Sequence, residues 1–163
     1  MVKIAAMRSM SRARGFTLVE IIVATAVLAI LASLSVPMYT TTLAGNRTRS
    51  AAYSLVGSLT YARSEAVKRN TTVSVAPVGT GWQDGWTVTS GGNTLSFNEP
   101  APALALAGPN AGVSYLPTGR LNIPGNVLFT ISASNTGYTR CVTIDPGGRP
   151  SLAKGERNDG SCV

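Results

Sequence analysis

The feature that most constrains this chain is a basic start joined directly to an apolar run. Met1–Gly15 carries four positive charges and no acid, and Phe16–Val36 follows with Glu20 as its only charged residue. A secretory signal places its small-residue cleavage site beyond the apolar core, whereas here Gly15 stands before that core. Cleavage after Gly15 would therefore remove only the basic leader and leave the apolar segment as the new N-terminus.

The apolar segment Phe16–Val36 is predicted to be a membrane helix. Its 21 residues would span ~31 Å at ~1.5 Å per residue, which matches the hydrocarbon layer. The positive leader would stay in the cytoplasm, so the remainder would face outward. Glu20 is unusual, because a carboxylate in a membrane helix costs up to ~2.5–3.5 kcal/mol and usually has a partner. The amine of Phe16 that cleavage exposes is one such partner, and the alternative is that Glu20 reaches the headgroups.

The junction Arg14–Glu20 reads Arg-Gly-Phe-Thr-Leu-Val-Glu and resembles the prepilin cleavage motif of type IV pilins and type II secretion pseudopilins. The resemblance implies that a membrane prepilin peptidase cuts after Gly15 and methylates the exposed Phe16. It also implies that Glu20 attracts the N-terminal amine of a neighbouring subunit and so sets the register between helices. The alternative is a plain membrane anchor in which Gly15 and Glu20 are accidental.

Length and charge bound the rest of the chain. Without the leader, 148 of the 163 residues remain, and roughly 110 of them follow the helix, enough for one domain with one core. Four of the fourteen Lys and Arg residues lie in the leader, which leaves ten against seven acids. A surplus of this size does not require a nucleic-acid or anionic-membrane partner.

The composition argues against an enzyme. The chain has no histidine, which excludes histidine-based zinc sites and Ser-His-Asp triads. The only short Gly-x-Gly, Gly79-Thr80-Gly81, opens no recognisable helix and does not match a phosphate-binding loop. The acids are scattered and form no pair for acid–base chemistry. We therefore expect a protein without catalytic residues, metal or cofactor.

Beyond the apolar segment, the pattern predicts an amphipathic helix that continues over residues 37–71. Pro37 interrupts the helical pattern, because it lacks a donor and clashes with the preceding turn. Its position resembles the one where pilins kink or locally melt in the filament. The resemblance therefore implies that Pro37, like Glu20, is used in assembly. The basic residues Arg49, Arg63, Lys68 and Arg69 are expected on the solvated side. The apolar face recurs in steps of three and four residues: Ala52, Leu55, Val56, Leu59, Ala62, Ala66 and Val67.

The C-terminal region, residues 72–163, is predicted to be β-rich. We expect Glu99–Gly112 to be an irregular loop, with a short helical turn within it at Ala103–Ala107. One long helix followed by antiparallel strands gives an α+β domain in which a small sheet covers the apolar face of the helix. The period-two segments between turn residues are the expected strands: Thr72–Val78, Gly85–Ser90, Thr94–Asn98, Val113–Leu116, Val127–Ala133 and Thr139–Asp145.

Three internal segments, Tyr61–Asn70, Gly81–Val88 and Val113–Arg120, resemble the GspH/FimT family of minor pilins and pseudopilins. The resemblance implies a type IV pilin-like fold, in which Trp82 and Trp86 pack against the helix or cover a sheet edge. It also implies a minor subunit that enters a type IV pilus and helps to initiate or cap the filament. The alternative within the same fold is the minor pseudopilin, protein H, of a type II secretion system.

The same resemblance implies partners and a location. The partners are the prepilin peptidase, other minor and major pilins or pseudopilins, and the inner-membrane assembly platform. The precursor would cross the inner membrane once, with its leader in the cytoplasm and its C-terminal domain in the periplasm. The mature chain would then reside in the pilus or pseudopilus.

The two cysteines, Cys141 and Cys162, are expected to form a disulfide, because an exported chain reaches an oxidising compartment. The bond would tie the C-terminal tail to the last clear strand and stabilise the fold by ~3 kcal/mol. By resemblance, minor pilins of the type IV pilus often carry a C-terminal disulfide and secretion pseudopilins often lack one, which favours the pilus.

A basic stretch between the cysteines raises a further alternative, DNA binding during natural transformation. Some FimT proteins bind DNA through a C-terminal Gly-Arg-x-Arg segment, and this chain has Gly148-Arg149-Pro150-Ser151, without the second Arg. Lys154 and Arg157 are the remaining candidates for phosphate contacts, with acids close by in sequence. Three cations would bind DNA weakly and with strong salt dependence, so the sequence favours a solvated loop.

Overall fold

The computed structural model describes residues 15–99, 103–133 and 137–155 together with Cys162, and for residues 34–38 it describes the backbone alone. The leader before Gly15 lies outside this description. By its internal contacts the chain divides into two compact units, Met1–Tyr39 and Thr40–Val163. The first contains the start of a long helix, and the second contains the rest of that helix and all of the strands.

Helix α1 extends over Leu18–Arg69, and its ends follow from local chemistry. The hydroxyl of Thr17 accepts a hydrogen bond from the backbone N–H of Glu20 at 3.2 Å, which caps a donor that would otherwise lack a partner. Asn70 adopts a left-handed backbone with φ of 51°, a conformation that Asn tolerates at helix ends. The helix includes position 37, while the side chain of Pro37 lies outside the description.

In the first unit, the described part of α1 exposes mainly apolar side chains. Phe16, just before the helix, and Leu18, Leu28 and Ile30 within it are each between 63% and 76% exposed. A continuous apolar surface of this kind marks a site of contact with a partner or a membrane. Within the described residues, no helix combines the length and the mean hydropathy that crossing a membrane requires.

The second unit contains two four-stranded antiparallel sheets. The first has the strand order β3-β2-β1-β5, and the second has the order β4-β6-β7-β8. A short 3-10 turn, Trp82–Asp84, precedes β2. The strands are β1 (Val73–Pro77), β2 (Trp86–Ser90), β3 (Asn93–Asn98), β4 (Leu104–Ala107), β5 (Val113–Tyr115), β6 (Val127–Ala133), β7 (Thr139–Ile144) and β8 (Pro150–Lys154).

The α+β class is confirmed, but the expectation of one small sheet is wrong. Six of the strands lie within one residue of their predicted bounds at each end, and two were missed. Ala103–Ala107 is not a helical turn, because Leu104 and Leu106 point into the core and pair with β6 as strand β4. Pro150 is the first residue of β8, an edge strand, where the missing N–H of proline is tolerated. These two strands complete the second sheet.

One apolar core joins α1 to both sheets. The helix contributes Ala52, Leu55, Leu59, Ala62 and Ala66, all fully buried, at the spacing of a single helix face. Two members of the predicted face differ, because Val56 is only partly buried and Val67 is 54% exposed. The strands contribute alternating inward side chains: Val73, Val75, Val88, Leu104, Leu106, Val113, Tyr115, Val127, Phe129, Ile131, Val142 and Ile144.

The sequence pattern predicted Arg63 on the solvated side of the helix, and this is wrong. Arg63 instead joins the helix to both sheets. Its Nε donates to the carbonyl of Gly119 at 2.9 Å, and a terminal guanidinium nitrogen donates to the carbonyl of Gly147 at 3.2 Å. Gly119 lies in the turn after β5, in the first sheet, and Gly147 lies in the turn between β7 and β8, in the second. A single guanidinium therefore fixes two turns against α1.

Glu65 is buried on the same helix and is neutralised by its neighbours. Arg69 donates from Nε to its carboxylate, and the Lys68 ammonium lies 3.5 Å from Oε1. The hydrogen bond from Arg69, aided by the charges of both cations, holds the pKa of Glu65 below its usual value. The carboxylate therefore stays ionised at neutral pH despite its burial.

The contacts of Arg63 predict a large effect of truncation. Arg63→Ala should lower the free energy of unfolding of the second unit by about 1.5–3 kcal/mol, since it removes two hydrogen bonds from a charged donor. The two tryptophans of the chain both lie in this unit, so urea unfolding followed by tryptophan fluorescence reports on it in the full chain. Arg47→Ala, at an exposed position of the same helix, is the matched control and should change the stability by no more than about 0.5 kcal/mol. Equal effects of the two substitutions would contradict this role of Arg63.

Candidate functional site

The predicted cleavage junction lies in non-helical backbone directly before α1. Gly15 and Phe16 are both exposed, and a Cβ added to Gly15 would meet no atom within 4 Å. The peptide bond between them is therefore accessible in the described structure. Glu20 is exposed and sits in the first turn of α1, where a negative charge interacts favourably with the helix dipole.

Glu20 has a local role that the sequence analysis did not assign. Thr17 and Glu20 stand in the Thr-x-x-Glu spacing of a capping box, and the Thr17 half of that box is formed. The Thr-x-x-Glu spacing in the sequence would have indicated this helix cap. The backbone of Glu20 thus helps to begin the helix, while its carboxylate remains exposed for a partner.

The expected disulfide is present. Cys141 and Cys162 are bonded, with Cα atoms 5.7 Å apart, inside the usual range. Cys141 lies on β7, an inner strand of the second sheet, and Thr130 on the neighbouring β6 donates its hydroxyl to the sulfur of Cys162 at 3.4 Å. The bond therefore anchors the end of the chain to the middle of this sheet.

The structure does not bring together the residues proposed for DNA binding. Arg149 is exposed in the turn that precedes β8, and Lys154 is exposed at the last position of that strand. Five residues of extended chain place them ~16 Å apart along the strand. Arg157 lies outside the described residues. The two described cations therefore mark opposite ends of one strand.

Gly148, from the same segment, has a structural role. Its φ is +79°, and a side chain there would collide with the carbonyl of Gly119 and come within 3.1 Å of the ring of Tyr115. Asp145 accepts a hydrogen bond from the backbone N–H of Arg149 at 2.9 Å and so closes the turn. Gly148 is thus explained by the close approach of two turns, the same two that Arg63 holds.

The two tryptophans pack in the core, as expected. Trp82 donates its indole N–H to the carbonyl of Pro109 at 3.0 Å and meets the edge of Phe129 with ring centroids 4.8 Å apart. Its ring centroid also lies 6.4 Å from that of Trp86 on β2, so Trp82 connects the first sheet to Phe129 of the second. The indole nitrogen of Trp86 is buried without a hydrogen-bond partner in the described part of the chain.

A group of basic residues far apart in sequence forms a cleft that the sequence analysis missed. Arg49 and Tyr53 on α1, Arg140 on β7 and Lys154 on β8 line a cavity of about 380 Å³. An adjoining cavity of about 200 Å³ shares Arg49 and Arg140 and adds Tyr138. These two cavities are referred to below as the basic cleft. No set of described residues could hold a metal ion.

The disulfide predicts a redox-dependent stability. A reductant should lower the free energy of unfolding by about 2–4 kcal/mol, since it releases a loop of 21 residues in the unfolded chain. Urea unfolding of the full chain, with and without reductant, measures the difference through tryptophan fluorescence. The double variant C141S/C162S should have the lower stability in both conditions. An unchanged midpoint for the reduced wild type would contradict the prediction.

Two parts of the chain match known protein families. Residues 51–148 match the family described as "Type II transport protein GspH", and residues 10–36 match the "Prokaryotic N-terminal methylation motif". No curated protein matches the chain.

Two solved structures are similar, both crystal structures of the type IV minor pilin FimU of Pseudomonas aeruginosa. The form in space group P65 has a TM-score of 0.57 at 25% sequence identity, and covers 64% of this chain and 91% of FimU. The form in space group P21 has a TM-score of 0.60 at 25% identity, and covers 66% of this chain and 89% of FimU. The family match extends over more than half of the chain and includes the helix face, both tryptophans and strands of both sheets. This chain belongs to the GspH family and carries a prepilin-type methylation motif at its N-terminus.

Proposed function

We propose that this chain is a minor pilin of a type IV pilus that helps to initiate or cap the filament. The observation that carries the proposal is the likeness to FimU, a type IV minor pilin, over about nine-tenths of the FimU chain. The methylation motif at residues 10–36 supplies the route into a filament. The function is assembly, and it uses surfaces of the chain rather than catalytic groups.

The proposed route begins at the leader. Prepilin peptidase removes Met1–Gly15 on the cytoplasmic side and methylates Phe16, while the second unit faces the periplasm. Phe16–Val36 anchors the precursor in the inner membrane and later packs among helices in the filament core. The exposed apolar side chains of the described helix support this use. Glu20 then pairs with the N-terminal amine of a neighbouring subunit and sets the register, and Pro37 allows the helix to adapt.

The partners in this proposal are other minor and major pilins and the inner-membrane assembly platform. The alternative is a minor pseudopilin of a type II secretion system, which the match to the family "Type II transport protein GspH" supports. The likeness to FimU and the C-terminal disulfide favour the pilus. The separation of Arg149 from Lys154 gives no support to DNA binding through that pair.

Removal of the leader by prepilin peptidase predicts a defined N-terminus for the mature chain. In cells with an active prepilin peptidase, the membrane-extracted chain should begin with N-methylated Phe16, and Gly15→Val should keep the leader because it changes the residue that the proposed cut follows. Intact mass and N-terminal sequencing measure both forms. Gly57→Val is the matched control, since a Cβ there also meets open space, and it should be processed as the wild type is. A wild-type chain that still begins at Met1 would contradict the proposal.

Pilus and secretion roles differ in where the chain is recovered. Co-purification with sheared type IV pili supports the pilus, whereas recovery only with a secretion pseudopilus supports the alternative.

A further inference from the structure

The basic cleft concentrates positive charge that no described residue neutralises through an ion pair. Arg49, Arg140 and Lys154 line one cavity, and no described acid lines it or its neighbour. None of the three forms an ion pair with a described residue, whereas Lys68 and Arg69 on the same helix both pair with Glu65. The cleft therefore attracts an anion from outside the described structure.

The strand register makes this cluster of positive charges destabilising for the fold. Arg140 on β7 lies directly opposite Lys154 on β8, and like charges at opposed positions destabilise an antiparallel pair. Arg49 adds a third cation from α1 to the same cavity. A bound anion would remove the repulsion among all three, so the arrangement is explained by a ligand and not by the stability of the fold.

The shape and lining of the cleft favour a carboxylate on a protein. Arginine offers a planar fork that binds a carboxylate through two hydrogen bonds. The apolar side chain of Leu152 and the exposed ring of Tyr53 line the same cavity, and they suit the aliphatic stem and neighbours of an acidic residue. Duplex DNA is bound through a row of phosphate contacts, whereas these three cations share one cavity of about 380 Å³.

We propose that the basic cleft binds an acidic side chain, Asp or Glu, of a neighbouring pilin-type subunit. This inference rests on the proposed function, because assembly through α1 brings other subunits beside the helix that carries Arg49 and Tyr53. The cleft is then the place where the second unit recognises its neighbour. It supplies specificity that the apolar helix contacts cannot, since charge complementarity fixes partner and register.

Photo-crosslinking in living cells tests the proposal directly. The full chain carries p-benzoylphenylalanine in place of Tyr53, an exposed residue of the cleft, in cells that assemble the filament. Illumination should join it to another pilin-type subunit, within a peptide that contains Asp or Glu. The combined variant R49E/R140E/K154E should reduce the yield to about a tenth, because close interfacial charge pairs are strongly coupled.

Matched variants separate the cleft from general charge effects. Arg120→Glu and Arg149→Glu change exposed cations outside the cleft, and each should keep the yield within about twofold. The single variant Arg49→Glu changes an exposed position, so it tests the cleft even if the triple variant misfolds. It should lower the yield on its own. Urea unfolding monitored by tryptophan fluorescence checks that each variant is folded.

Several outcomes would overturn the inference. They are a yield that charge reversal leaves unchanged, an adduct to nucleic acid or lipid, an adduct to a peptide without an acid, and an adduct within residues 156–161 of the same chain. Leader removal is measured in the same cells. A processed chain in filaments without the adduct overturns this inference alone, whereas an unprocessed chain overturns the proposed function as well.

Discussion

The structure depends on the packing of one face of α1 against two sheets. Ala52, Ala62 and Ala66 are fully buried, and their small side chains let the strands approach the helix closely. Because the two sheets share this face, neither has a complete core without α1. Arg63 adds a polar connection by holding one turn of each sheet through backbone carbonyls, and Gly148 lets those turns come together. The helix is thus the common support of the second unit.

The same helix begins with a surface that no described residue of its own unit covers. The described side chains from Phe16 to Leu31 are exposed and mostly apolar, and Glu20 is the only charged one among them. Burial of such a surface is strongly favourable, so it is the natural site of association with lipid or other helices. One part of the helix therefore stabilises a small domain, and the other part is exposed and available for assembly. Membership of the GspH family and the methylation motif are consistent with that division.

Local sequence signals predicted most of the fold and part of the site. The helix face and six strands carry short-range patterns in spacing or alternation, whereas the disulfide was predicted because an exported chain reaches an oxidising compartment. Strand β4 was missed because prolines and alanines surround its two leucines, and β8 because it begins with Pro150. The roles of Arg63 and of the basic cleft could not be predicted, since they depend on contacts between elements far apart in the chain.

We propose that the exposed part of α1, with Glu20, carries this chain into a filament. The most direct measurement is the amount of chain recovered in sheared filaments for Glu20→Lys relative to the wild type, with equal leader removal confirmed in both. Reversal of a charge that pairs with a neighbour's amine should lower recovery about tenfold or more, while Glu99→Lys, also at an exposed position, should not. Equal recovery of Glu20→Lys and the wild type would contradict the account.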